Sequence, residues 1–194
     1  LSGLLNDEIG GAGVKPYQPP GLWSEVGLGG NPKFVQDHGN KLYRRSIYTY
    51  WKRSAPPPAM QIFDAPTREK CTILRARTNT PLQALVTLND IQFVEAARHL
   101  AERLIREGGD SPQDRISFGF RLATSRLPTK QEINVLTRVY NNALEKYSGS
   151  PESAKTLLAV GESKRTESLP LDQHAALTIV ASAILNLDET LTRE

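Results

Sequence analysis

Apolar residues recur along the second half of the chain with the spacing of helices. Phe93, Val94, Ala97, Leu100, Ala101 and Leu104 form one stripe at steps of three and four. Ile133, Leu136, Tyr140, Ala143 and Tyr147 form a second, and Leu177, Val180, Ala181, Ile184 and Leu185 a third. On the first of these helices Glu95 with His99, and Glu102 with Arg106, stand four apart and are expected on the wet face. Helix starts are marked just as clearly. Thr80-Pro81-Leu82-Gln83 sets a capping threonine before proline, with glutamine three residues on. Ser111-Pro112-Gln113-Asp114 repeats that arrangement, and Thr129-Lys130-Gln131-Glu132 is a strict capping box. Ser150-Pro151-Glu152, and then Pro170 with Asp172, open two more helices, while Gly108-Gly109 and Gly149 mark ends. His174 beside Asp172 is read as part of that last capping turn. The stripes need one another, so residues 81–187 are expected to form a bundle of five or six helices, and the fold class is mainly α.

The first half has a different texture. Gly10-Gly11-Ala12-Gly13, Pro16, Pro19-Pro20-Gly21, Gly27, Gly29-Gly30 and Pro32 break any regular element. Residues 1–80 therefore read as an extended, Gly/Pro-rich arm and core segment packed on the bundle of residues 81–194. Tyr17, Trp23 and Phe34 are its expected anchors. Ser46 to Trp51 alternates enough for one short strand, the most β structure expected, and Pro56-Pro57-Pro58 for a polyproline II turn. Leu1-Ser2-Gly3-Leu4-Leu5 lacks the charged start and cleavage site of a signal peptide. It reads as the tail of a helix begun upstream, and the chain as the C-terminal fragment of a longer one.

Charge changes this picture only in the arm. The net charge of the 194 residues is +3. Residues 1–80 hold 11 Lys and Arg against 6 Asp and Glu, and residues 81–194 hold 13 against 15. A basic arm suits an anionic polymer or surface, although arginines paired internally with carboxylates and carbonyls account for the same excess. No apolar run reaches the 18 or so residues that span a bilayer, so no membrane span is expected.

Candidate chemistry is sparse. Cys71 is the single cysteine, which excludes an internal disulfide, a cysteine zinc site and a haem attachment motif. Between Lys70 and the apolar Ile73-Leu74 it reads as a small buried hydrophobe. His38, His99 and His174 are not spaced as metal ligands, and neither a metal nor a cofactor is expected in this chain. Gly10-Gly11-Ala12-Gly13 matches no phosphate-binding loop. Asp64 and Glu69 are the one pair of carboxylates suited to acid–base work on a glycosidic bond. Against that, Asp64-Ala65-Pro66-Thr67 reads as an Asx turn, and Glu69 as an ion-pair partner of Arg75 or Arg77. Tyr48, Tyr50, Trp51 and Arg53, with Lys52, form either an exposed stacking platform with cationic edges or a buried pin with its cations at the surface. Arg75, Arg77 and Asn79 stand just before the Thr80 cap, and capping does not explain them.

Tyr43 to Asp90 carries a recognisable pattern. Arg44-Arg45-Ser46-Ile47-Tyr48, Tyr50-Trp51-Lys52-Arg53, Pro56-Pro57-Pro58, Phe63-Asp64-Ala65-Pro66, Arg68-Glu69, Arg75 to Leu85 and Leu88-Asn89-Asp90 resemble a planctomycete-specific C-terminal domain family of unknown function. Phe120 to Arg126 and Leu185 to Glu189 match the usual tail of that family. Ile91 departs from it, since proline is expected after Asn-Asp, and the change blurs a helix entrance. The family stands at the end of long secreted proteins that often carry a cytochrome-c-like domain. The resemblance thus implies an extracytoplasmic location, any haem outside this chain, and no nucleic-acid partner. The expected function is a non-catalytic module that docks on upstream domains of its parent protein or on a cell-surface polysaccharide. The alternative is a share in a polysaccharide-active site through Asp64 and Glu69.

Overall fold

Eight α-helices occur among the residues described by the computed structural model, 1–24 and 33–192. Gly27, Gly29, Gly30 and Pro32, counted above among the breakers, lie outside the described residues. The helices are α1 (Pro58–Ile62), α2 (Pro81–Asn89), α3 (Ile91–Glu107), α4 (Pro112–Thr124), α5 (Lys130–Gly149), α6 (Pro151–Leu158), α7 (Leu171–Leu185) and α8 (Asp188–Leu191). No sheet forms among the described residues; three isolated bridges are the whole of the β pairing there. The fold is mainly α, with six helices between residues 81 and 187 as the periodicity predicts. Two compact units divide the chain, Leu5–Gln83 and Leu1–Leu4 with Ala84–Glu194.

In the helical unit α7 is the axis. Its residues Ala175, Ala176, Leu177, Val180, Ala181 and Ile184 are all buried, because α3 and α5 cover most of it and α4, α6 and α8 the remainder. A helix that is apolar on every face is stable only when surrounded in this way. The α3 stripe is buried at Ala97, Leu100, Ala101 and Leu104, and the α5 stripe at Leu136, Tyr140, Ala143 and Tyr147. Gly119 lets α4 approach α3, since a Cβ there would lie 2.7 Å from Leu104 Cδ2.

Local signals set the helix ends. Thr129 and Glu132 form both bonds of the capping box, and Ser111 caps α4 by accepting the Asp114 N–H. The entrance of α3 is sharp despite Ile91, because the Asp90 carboxylate accepts the Gln92 N–H at 2.9 Å. Leu1 to Leu5 is not helical, and Gly3 has φ +84°, a conformation that no right-handed helix contains.

Leu5–Gln83 is built from irregular chain around a small core. Val14, Trp23, Leu42 and Ala55 are buried in it, and Tyr17 and Phe34 are half-buried. The expected strand is absent. Ser46–Tyr48 is a 3-10 turn, and only one parallel bridge, Val14 with Thr49, follows it. Val14 donates to the Tyr48 carbonyl and accepts from the Tyr50 N–H, both at 2.8 Å. The Tyr48 N–H is already bound to the Arg45 carbonyl, so the ladder stops after one rung. The proline triplet is divided. Pro57 keeps extended angles (φ −59°, ψ 119°), whereas Pro58 takes the first position of α1, where a missing N–H costs nothing.

Candidate functional site

The residues singled out in the sequence fall in three places on Leu5–Gln83. Around Tyr48, the buried Arg44 guanidinium donates to the carbonyls of Glu8 and Gly10 at 2.7 and 2.6 Å and lies 3.9 Å from the Tyr48 ring centre. The Tyr48 hydroxyl accepts the Gly10 N–H at 2.8 Å. Tyr50 lies against Trp23, ring centres 5.9 Å apart, and Phe34 meets Trp23 edge-on at 5.3 Å. The ammonium groups of Lys15 and Lys52 hover over Trp23. Tyr48 and Tyr50 thus make their contacts inside Leu5–Gln83, and Tyr50 keeps 46% of its surface exposed.

Trp51 belongs to a different group. Its half-buried ring carries the Arg68 guanidinium at 4.8 Å, and the neighbouring Arg53 pairs with Glu69 at 3.2 Å. Glu69 therefore takes Arg53 as its partner, where Arg75 or Arg77 was expected, because the loop folds back toward residues 51–53.

Asp64 forms the third place. It has φ +58°, a conformation that Asp and Asn tolerate better than most residues. Its carboxylate accepts both the N–H (2.9 Å) and the hydroxyl (2.8 Å) of Thr78, fourteen residues on, in place of its own Asx turn. Buried Gln83 closes the same knot. Its amide donates to the Ile62 carbonyl (2.8 Å) and Thr78 Oγ1 (3.1 Å), and its oxygen accepts the Thr80 N–H (3.0 Å). Residues 65–77 are thus a loop closed at its root. The hydroxyl and backbone bonds from Thr78, with Arg75 nearby, hold the Asp64 carboxyl below the usual carboxylate range. An ionised Asp64 has no proton to give at neutral pH, so it does not have the environment of a general acid.

Beyond the root the loop stands in solvent. Every residue from Cys71 to Asn79 is exposed, Arg75, Arg77 and Asn79 included. Ile73 is 105% and Leu74 84% exposed. Cys71, expected to be buried, is a free and exposed thiol, because among the described residues no apolar neighbour folds over the loop tip.

The helical unit holds polar chemistry that periodicity assigns to solvent. Glu95 and Glu102 are not on a wet face; both are buried, with Arg98 between them fully buried. The face of α3 opposite its apolar stripe is covered by residues 161–166. Glu95 accepts the Ser163 N–H at 2.7 Å and also the Ser163 hydroxyl. Arg98 donates to the Ser163 carbonyl and Oγ, both at 2.7 Å, and His99 Nε2 lies 2.8 Å from the same Oγ. Glu102 accepts the N–H (3.2 Å) and hydroxyl (2.8 Å) of Thr166. Gly161 completes the fit: it has φ +91°, and a Cβ there would overlap the Glu95 carboxyl group.

His174 is a core residue of this cluster, not a capping one. It is fully buried, with Nε2 3.3 Å from the Arg98 carbonyl and 3.8 Å from Glu102. Burial lowers the pKa of His174 and of His99, so both are neutral at pH 7. Burial opposes the charge of Glu102 too, but the two Thr166 bonds outweigh it and hold its pKa below the ordinary value. Ser163, His99 and Glu95 touch without forming a hydrolytic triad. The serine proton goes to the carboxylate, and the Oγ lone pairs are occupied by Arg98 and His99, so Ser163 is a tether for the loop. Glu95, Arg98 and Glu102 at steps of three and four were the sequence signal; the partner loop more than 60 residues away had none.

Arg126 gathers the tail of the pattern. It binds Glu132 and Glu189, each at 2.6 Å from Nη2, and stacks on Phe120 at 4.7 Å. These contacts join the Phe120–Arg126 and Leu185–Glu189 strings. The Arg126 and Thr129 bonds bring the Glu132 pKa down to about 2.

The family described as a protein of unknown function (DUF1553) matches residues 1–140. The chain belongs to this family. No curated protein and no solved structure matches it. The DUF1553 match spans the Asp64–Thr78 loop and runs to Tyr140 in α5; the Glu95 and Glu102 anchors lie inside it, and the loop they hold lies beyond. Among the described residues no group of three or more His, Cys, Asp and Glu is placed to hold a metal ion. No helix among them is long and apolar enough to cross a membrane.

Proposed function

We propose that the chain is a non-catalytic docking module of an extracytoplasmic protein, and that its docking element is the loop of residues 65–77. One observation carries this reading: Ile73 and Leu74 are fully presented to water at the tip of a loop whose root is fastened. Burying two such side chains yields about 1.5–3 kcal/mol each, so their exposure calls for a partner surface. Lys70, Arg75 and Arg77 flank the apolar tip, which favours an acidic rim around an apolar socket. Because the loop is held by Asp64, Gln83, Trp51 and Arg53, little ordering entropy remains to be lost on binding. The partner is another domain of the parent protein; the extracytoplasmic location rests on the family resemblance.

Cys71 supplies the test, since it lies two residues from the tip. Its alkylation by N-ethylmaleimide is followed at peptide level in the 194-residue chain and in the parent protein. At least about tenfold slower labelling in the parent supports docking, a protection that corresponds to about 1.4 kcal/mol. Equal rates sink it. A melting temperature raised by one polysaccharide, and no longer raised in Trp51→Ala, would place a polymer on this surface instead.

A further inference from the structure

A groove of about 730 Å³ runs between the end of α6, residues 161–167 and the start of α7. Its volume lies within the range of small-molecule sites. Leu158, Ala159 and Leu171 give it an apolar floor, and Lys164 and Arg165 stand on its loop wall. Arg165 is the unusual member. Among the described residues its Nη1, shielded from solvent, has no hydrogen-bond partner, and its Nη2 makes only a long bond, 3.4 Å, to the Glu167 carbonyl. Among the described residues no carboxylate lies within ion-pairing distance of it. An unpaired, half-buried guanidinium is costly to keep, and a guanidinium fork has the donor geometry that oxyanions accept.

The wall that carries Arg165 is preorganised. Ser163 is fastened to Glu95 and Arg98 on one side of Lys164-Arg165, and Thr166 to Glu102 on the other. Lys155, across the groove, is already held by Glu152 at 2.8 Å. Glu162 and Glu167 also line the groove and repel a second negative charge. We propose that this groove binds a singly charged oxyanion, a carboxylate or a sulfate ester, borne on a compact molecule with one apolar face. Arg165 anchors the oxyanion and Lys164 assists.

The test is a titration of the 194-residue chain, followed by amide and Arg side-chain NMR shifts. Sodium D-glucuronate and sodium methyl sulfate are the probes, against sodium chloride at equal ionic strength. Saturable shifts confined to residues 158–171 are expected, and whichever probe saturates first distinguishes carboxylate from sulfate. Arg165→Gln should weaken binding by about tenfold or more, as for loss of a charge-assisted pair, and Lys164→Gln by less. Arg165→Lys keeps the charge and loses the fork; it too should bind more weakly, and it covers the case in which Arg165→Gln does not fold. Shifts that fail to saturate with either probe, or that persist unchanged in the Arg165 variants, overturn the proposal.

Discussion

Glu95 accepts both the backbone N–H and the hydroxyl of Ser163, sixty-eight residues away, from a position buried in the middle of α3. A charged side chain on a helix thereby serves as the hydrogen-bonding partner of a loop that has no secondary structure of its own. Buried backbone groups need partners, and here side chains supply them. Ser163→Ala removes the hydroxyl that Glu95, Arg98 and His99 share. It should cost about 1–3 kcal/mol in denaturant unfolding, the penalty for unsatisfied buried polar groups. Arg98→Met strands two carboxylates in the core and should cost more, about 3–5 kcal/mol. A loss near zero in both would mean that the loop is not held as described.

Acid should weaken the fold in two steps. The unfolded chain protonates His99 and His174 as the pH falls through 6.5, while the folded chain, with both values lowered by burial, does so only further down. The unfolded state therefore binds more protons in that window, and stability falls with pH. The second step begins near pH 4.5. Unfolded carboxylates protonate there, while Glu102 and Glu132, the latter at about 2, stay ionised in the fold. Urea midpoints at pH 7.5, 5.5 and 4.0 should decline in that order. His174→Leu should flatten the first step; an unchanged slope would show that His174 does not contribute to it.

Asp64→Ala should open the root of the 65–77 loop, because Thr78 loses the acceptor for both its donors. Trypsin should then cut after Lys70, Arg75 and Arg77 several-fold faster than in the parent sequence. Asp64→Asn keeps an acceptor oxygen and a residue that tolerates positive φ, so its cleavage should remain close to the original. Equal rates in all three proteins would show that the clasp does not set the loop's mobility.

Trp51→Ala removes the ring on which Arg68 rests. An exposed cation–π contact is worth about 0.5–1 kcal/mol, so the melting temperature should fall by only a few degrees. The protection of Cys71 in the parent protein should fall much more. A large loss of stability without any change in that protection would make Trp51 a packing residue.

What could be read in the sequence was what is local. Thr129 with Glu132, Thr80 with Gln83 and Ser111 with Asp114 act across three residues, and all three caps are present. The apolar stripes of α3, α5 and α7 were legible for the same reason. Periodicity fails at Glu95 and Glu102 because it weighs one helix at a time, and a charged face reads as wet unless its distant cover is known. Cys71 fails in the opposite direction. Apolar neighbours in sequence suggested burial, but none of the described residues folds over them in space. Of the candidate site, Arg53 and Glu69 do meet, Trp51 carries Arg68 and Asp64 is an acceptor, while the identity of each partner, Arg68, Arg53 and Thr78, depended on how the loop returns.

Gly161 and Glu95 compete for one volume, and this has a consequence for how the sequence can change over time. A descendant that keeps the glutamate has no room for a side chain at 161; one that shortens the glutamate regains the room and loses the anchor of Ser163. A side chain at 161 therefore requires a change at 95, whereas φ +91° still favours glycine at 161 after the glutamate has gone. A loop transplanted from this chain into another helical protein must bring its glutamate with it.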